Sequence, residues 1–124
     1  MIHHVSVGTN DLPRSIAFYD AVLPGLGLRR ILDDSGEGMH YGSGHIEFST
    51  IRTDAPATVG NGVHVAFDVE DRGMVDAFHA AALAAGGTDD GAPGRRPAYD
   101  AHYYAAFVRD PDGNKIEAVT YAAK

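Results

Sequence analysis

Seven histidines and no cysteine define the chemistry open to this chain of 124 residues. Without thiols there is no disulfide, no cysteine-ligated zinc or iron–sulfur centre, and no thiol nucleophile. Imidazole nitrogen and carboxylate oxygen remain. Two histidines stand apart by position. His4 and His64 recur at an offset of 60, each followed by valine, and Asp11/Asp71, Ala17/Ala77 and Phe18/Phe78 keep the same offset. A second echo sets Ile46-Glu47-Phe48-Ser49-Thr50 against Ile116-Glu117-Ala118-Val119-Thr120, at an offset of 70. Each repeated histidine therefore comes with a glutamate, Glu47 or Glu117. Two imidazoles and two carboxylates brought together suit a divalent ion such as nickel, cobalt, manganese, iron or zinc. Such an ion polarises a carbonyl oxygen and stabilises the negative charge that develops there. A carboxylate held loosely beside it can move a proton.

The elements that must position these residues follow from hydrophobic period. Residues 2–8 alternate, with His3, Val5 and Val7 on one face and His4 on the other, which predicts a strand. Asp11 is placed to cap a helix, Pro13 is tolerated in its first turn, and Leu12, Ile16, Tyr19 and Leu23 form its apolar stripe. Pro24 and Gly25 end it. Short strands follow near 27–33, 37–42 and 44–52. In the last of these, Glu47 faces away from Ile46 and Phe48.

The second half repeats this grammar. Val63, Val65, Phe67 and Val69 line one strand face and His64 the other. Asp71 caps a helix with the stripe Val75, Phe78 and Ala82, and Gly86-Gly87 stops it. Residues 103–109 and 114–121 read as strands around the turn Asp110-Pro111-Asp112-Gly113. In the last strand Glu117 lies opposite Ile116 and Ala118. The pattern is strand–helix–strand–strand–strand, twice. It predicts one α+β domain of two tandem βαβββ modules, forming a curled mixed sheet with helices on the outer face. The modules span about 1–53 and about 62–124, with a linker at about 54–61. His4, His64, Glu47 and Glu117 then all belong to the concave face.

Composition narrows the partners. Apolar residues at 44% and charged residues at 22% make an ordinary globular mixture. Seventeen acidic against ten basic residues give a charge of −7, without the basic stripe that a nucleic acid needs. Apolar runs are too short for a membrane span, and no signal-peptide pattern opens the chain, so a cytoplasmic protein is expected.

Three motifs carry a family likeness. They are His4-Val5 followed by Asp11-Leu12-Pro13-Arg14-Ser15-Ile16-Ala17-Phe18-Tyr19, then His64-Val65-Ala66-Phe67, and finally Asp110-Pro111-Asp112-Gly113-Asn114-Lys115-Ile116-Glu117. The chain resembles the vicinal oxygen chelate superfamily, which groups glyoxalase I, extradiol dioxygenases, fosfomycin- and bleomycin-resistance proteins and methylmalonyl-CoA epimerase. The resemblance implies a metal site at His4, Glu47, His64 and Glu117, with Glu117 or Glu47 as the catalytic carboxylate. It implies a lyase or isomerase reaction on a small carbonyl or hydroxy-carbonyl substrate through an enediolate-like intermediate. A homodimer is also implied. The set His4, His64 and Glu117 alone would also fit a ring-cleaving dioxygenase, although those enzymes usually carry four modules. A non-catalytic, drug-binding resistance protein is the other alternative. Gly8 stands where glyoxalase I commonly has a glutathione-holding arginine, so the likeness does not extend to glutathione.

The remaining candidates line the expected pocket. His45 shares a face with Glu47. His102, Tyr103 and Tyr104 open a strand beside the last one. The stretch 88–102 reads as a long loop, in which Arg95 and Arg96 either meet an anionic substrate group or face solvent. His3 and His79 are expected to pack or face solvent, and Asp110 and Asp112 to form a turn.

Overall fold

The computed structural model describes residues 1–123. The first module runs β1 (Val5–Thr9), α1 (Leu12–Val22), β2 (Arg29–Asp33), β3 (Gly38–Gly42) and β4 (Phe48–Arg52). The second runs β5 (His64–Asp68), α2 (Arg72–Ala84), β6 (Thr88–Arg95), β7 (Tyr104–Arg109) and β8 (Lys115–Thr120). The architecture is α+β, with two tandem βαβββ modules. Each module makes its own four-stranded mixed sheet, ordered β1-β4-β3-β2 and β5-β8-β7-β6. In each, the first strand lies parallel to the last and the other pairings are antiparallel.

Both helices start as their caps dictate. Asp11 accepts the amide of Arg14, and Asp71 accepts the amide of Met74. Their apolar faces meet in one core shared by both modules, with Phe18, Tyr19 and Phe48 from the first and Val75, Phe78 and Ile116 from the second. Phe48 and Phe67 join across the modules at 5.4 Å between ring centres. A polar lock sits beside them. Buried Tyr19 donates its hydroxyl to Asp110 at 2.5 Å, and Arg14 pairs with Asp112 at 2.9 Å. Asp110 also accepts the amides of Asp112 and Asn114, which forms the expected turn.

Three expectations are corrected. The first strand starts at Val5, so residues 2–4 lie outside it. The fourth strand starts at Phe48 rather than near residue 44, and Glu47 lies just ahead of it. The stretch 88–102 contains a strand, β6, over its first eight residues. The segment Thr-Asp-Asp-Gly-Ala-Pro-Gly-Arg has weak strand propensity, but pairing with β7 overrides it. The pairing accommodates Gly91, Pro93 and Gly94 through two register shifts, and β6 is an outer strand, where a missing N–H is tolerated.

The register also differs from the sequence echo. Val5 pairs with Phe48, and Val65 pairs with Ile116. Phe48 therefore stands where Ile116 does, 68 residues apart and not 70. Ser6 faces Ser49 in the first sheet, as Ala66 faces Glu117 in the second. Ser49 is thus the counterpart of Glu117, and Glu47 is the counterpart of Lys115.

Candidate active site

The second module forms its histidine–glutamate pair. Ile116 and Ala118 turn into the core, so the alternate residues Lys115 and Glu117 project from the other face. His64 presents Nε2 3.1 Å from Glu117 Oε1. Glu117 is only 1% exposed, and its other oxygen accepts the hydroxyl of Tyr103. Both carboxylate oxygens are therefore engaged, as burial of a charge demands. Burial, then the bond to Glu117 and the charge of Glu117, push the Tyr103 phenol above its ordinary pKa. A cavity of about 430 Å³ opens beside this cluster, with Tyr99, Tyr103 and Phe107 as aromatic walls.

The first module does not form the equivalent pair. Strand pairing begins only at Val5 and Phe48, so neither His4 nor Glu47 is inside a ladder. His4 is exposed, with its Nδ1 2.8 Å from His3 Nδ1. His3 packs at a tilt against His45 with ring centres 4.6 Å apart. The turn between β3 and β4 folds back tightly, so Glu47 Oε1 accepts both the amide of Ser43 (2.8 Å) and its hydroxyl (2.6 Å). Those two bonds hold the Glu47 carboxyl below the usual carboxylate range against the opposing effect of burial, with lesser help from His45 and His3. The register counterpart of Glu117, Ser49, is buried, and its hydroxyl lies 2.7 Å from His40 Nδ1.

The halves nevertheless meet along one surface. A second cavity of about 550 Å³ runs beside β5 and is lined by His3, Glu47, Phe48, His64 and Phe67, among others. His64 borders both cavities, the larger of which Glu47 also lines and the smaller Glu117. Among the described residues, no three His, Asp or Glu side chains gather closely enough to hold a metal ion.

The other expected residues separate. Tyr103 and Arg96 line the smaller cavity. Arg95 is exposed at the end of β6. His102 is exposed, with its amide bonded to Asp100. Tyr104 turns to the helix side, where its hydroxyl donates to Asp76 and Arg72 lies over its ring. Several cavity residues escaped the sequence reading, among them His3, Phe107 and Lys115. His3 is exposed and packs on His45, in line with its expectation, and it also borders the larger cavity. Phe107 and Lys115 carried only the signal of parity, since they share the face of Glu117.

A family model described as the Glyoxalase/Bleomycin resistance protein/Dioxygenase superfamily matches residues 1–118. No curated protein matches the chain. Among solved structures, a glyoxalase/bleomycin resistance protein from Albidiferax ferrireducens is 40% identical, with a TM-score of 0.82 over 94% of this chain and 95% of that one. Lactoylglutathione lyase from Agrobacterium tumefaciens is 23% identical, with a TM-score of 0.68 over 97% and 92%. The fosfomycin resistance protein FosX from Listeria monocytogenes is 16% identical, with a TM-score of 0.70 over 94% and 89%. At those identities the last two share the fold alone. No helix among the described residues is long and apolar enough to cross a membrane.

Proposed function

The chain belongs to the glyoxalase/bleomycin resistance protein/dioxygenase superfamily, and from that premise we propose a divalent-metal-dependent enzyme of glyoxalase type, which moves a proton on a small carbonyl or hydroxy-carbonyl compound. The observation that carries this reading is the position of His64, paired with Glu117 on one side and sharing a cavity with Glu47 on the other. The donor chemistry of the second module fits an ion, with one imidazole nitrogen and one carboxylate oxygen on neighbouring strands. His64 and Glu117 would hold it; His4, the further ligand that the resemblance implies, is exposed and lines neither cavity. When bound, the ion supplies positive charge beside the substrate's oxygen atoms.

The protein's own groups then divide the work. Tyr103 fixes the Glu117 carboxylate by its hydrogen bond, which keeps that group oriented rather than mobile. Glu47 lies one alternation outside the register of a ligand, and both of its bonds from Ser43 fall on Oε1. Its other oxygen has no hydrogen-bond partner among the described residues and is left to act as the base. Kept ionised at neutral pH, Glu47 takes the proton from the hydroxyl-bearing carbon while that electron pair forms a carbon–carbon double bond and the carbonyl pair moves to its oxygen. The hydroxyl proton passes to that oxygen, and Glu47 returns its proton to the former carbonyl carbon, leaving the carbonyl on its neighbour. No oxidant is required. The apolar wall formed by Phe48 and Phe67 limits water around the exchange. A homodimer is the assembly that the resemblance implies.

One observation favours a non-catalytic binder. Glu117 is already satisfied by His64 and Tyr103, so the cluster closes without an ion.

The test combines calorimetry of nickel, manganese and zinc binding with proton–deuterium exchange of hydroxyacetone in heavy water. The wild type should bind one ion per chain and catalyse exchange. Glu47→Gln should retain the ion and lose exchange, whereas His64→Ala and Glu117→Gln should lose both. Absence of stoichiometric ion binding in the wild type would sink the metal-dependent reading.

A further inference from the structure

The smaller cavity contains a built feature that proton transfer does not use. Arg96 leaves β6 and folds back, placing its guanidinium carbon 5.5 Å from the centre of the Phe107 ring. Lys115 places its ammonium 5.0 Å from the same centre. The His64 ring lies 6.3 Å from it. One aromatic ring thus gathers two cations and the histidine of the proposed reaction.

The backbone makes room for this arrangement. A Cβ on Gly94 would lie 3.1 Å from Arg96 Nη1, and one on Gly91 would lie 3.3 Å from Nη2. The two glycines coincide with the register shifts of β6, leaving a trough in which the guanidinium rests. Its bonds there go to main-chain oxygens, with Nη2 donating to Ala92 at 2.8 Å and Nη1 to Arg95 at 3.4 Å. A guanidinium has five N–H donors in a planar fork suited to a carboxylate. No carboxylate forms an ion pair with Arg96 among the described residues, in a protein of net charge −7.

The other charges of the cavity are accounted for. Asp90 is shared by Arg109 at 3.0 Å and Lys115 at 3.4 Å, so two cations divide one anion. Glu117 is committed to His64 and Tyr103. At the Arg96–Lys115 end, Arg96 therefore has no carboxylate partner among the described residues, and Lys115 shares its own with Arg109.

We infer that this end of the cavity is a carboxylate subsite, in which Arg96 and Lys115 hold the anionic group of a substrate whose apolar or aromatic body lies against Phe107. The inference rests on the enzymatic reading for calling the ligand a substrate, but binding can be measured without turnover. Arg95, its exposed neighbour, plays no part in it.

The experiment uses the chelator-treated 124-residue chain and titrates it with benzoate and with benzamide, which has the same shape without the charge, by calorimetry and ligand-observed NMR. Benzoate should bind about tenfold or more tightly than benzamide, since charge-assisted bonds carry that preference. Arg96→Gln and Lys115→Gln should each weaken benzoate by about tenfold while leaving benzamide and the circular dichroism spectrum unchanged. Arg95→Gln should leave both ligands unaffected. Equal affinity for the two ligands, no benzoate binding, or the same loss from Arg95→Gln would overturn the subsite. Because no metal and no reaction enter the readout, its failure is distinct from failure of the proton-transfer reading.

Discussion

Tyr19→Phe tests whether the modules form one cooperative body. Tyr19 is fully buried, with its ring packed edge-on to Phe18 at 4.9 Å and tilted against Phe48 at 4.8 Å. Phenylalanine keeps those contacts and removes only the hydroxyl. The loss is one bond to Asp110 at 2.5 Å, from the first module's helix to the second module's turn. A buried bond to a charged group contributes about 1.5–3 kcal/mol. Asp110 keeps three other bonds, from the amides of Asp112 and Asn114 and from the side chain of Asn114. The expected loss is therefore in the lower part of that range, about 2 kcal/mol. For a domain of this size that lowers Tm by roughly 6–12 °C. Tyr121→Phe is the control, because Tyr121 is 59% exposed and should change stability by less than about 0.5 kcal/mol. Urea unfolding followed by far-ultraviolet circular dichroism and by tyrosine fluorescence gives the comparison. Coincident transitions at a lower midpoint are expected. A Tyr19→Phe protein as stable as the Tyr121→Phe control would refute the lock, and separated transitions would refute the single body.

Two further outcomes follow from the same geometry. Tyr19 has a raised pKa from burial and then from Asp110, and Tyr41 and Tyr103 are raised first by burial as well. The folded state therefore keeps protons that the unfolded chain releases above about pH 10. Stability is full below that pH and falls above it, by up to about 1.4 kcal/mol per pH unit for Tyr19; urea midpoints at pH 8 and pH 11 should differ, and the slope should flatten in Tyr19→Phe. Gly42→Ala would put a Cβ 1.7 Å from the carbonyl oxygen of His45, a backbone atom that cannot step aside without moving the turn that holds Glu47. A loss of about 3 kcal/mol or more is expected in a thermal melt, and a melt within a few degrees of wild type would disprove the close approach.

Much of the fold was legible because its signals are local. Asp11 and Asp71 announce both helices, since a cap needs only its own first turn. The turn at Asp110–Gly113 is equally local. The strand β6 was hidden because glycine, proline and aspartate argue against a strand, and only its neighbour β7 supplies the pairing that makes one.

The site divides along the same line. Alternation along a strand has a period of two, so the sequence by itself determined that Glu117 and Lys115 share a face and that Ile116 belongs to the core. A shift of two residues preserves every one of those faces. The echo at an offset of 70 and the ladder at 68 are therefore equivalent in face pattern. Only the hydrogen-bond ladder between β1 and β4 decided that Ser49, not Glu47, is the counterpart of Glu117. Only the fold of the turn at Ser43 decided where the carboxylate of Glu47 rests. Residue type and parity are properties of a strand, whereas register is a property of two strands that meet.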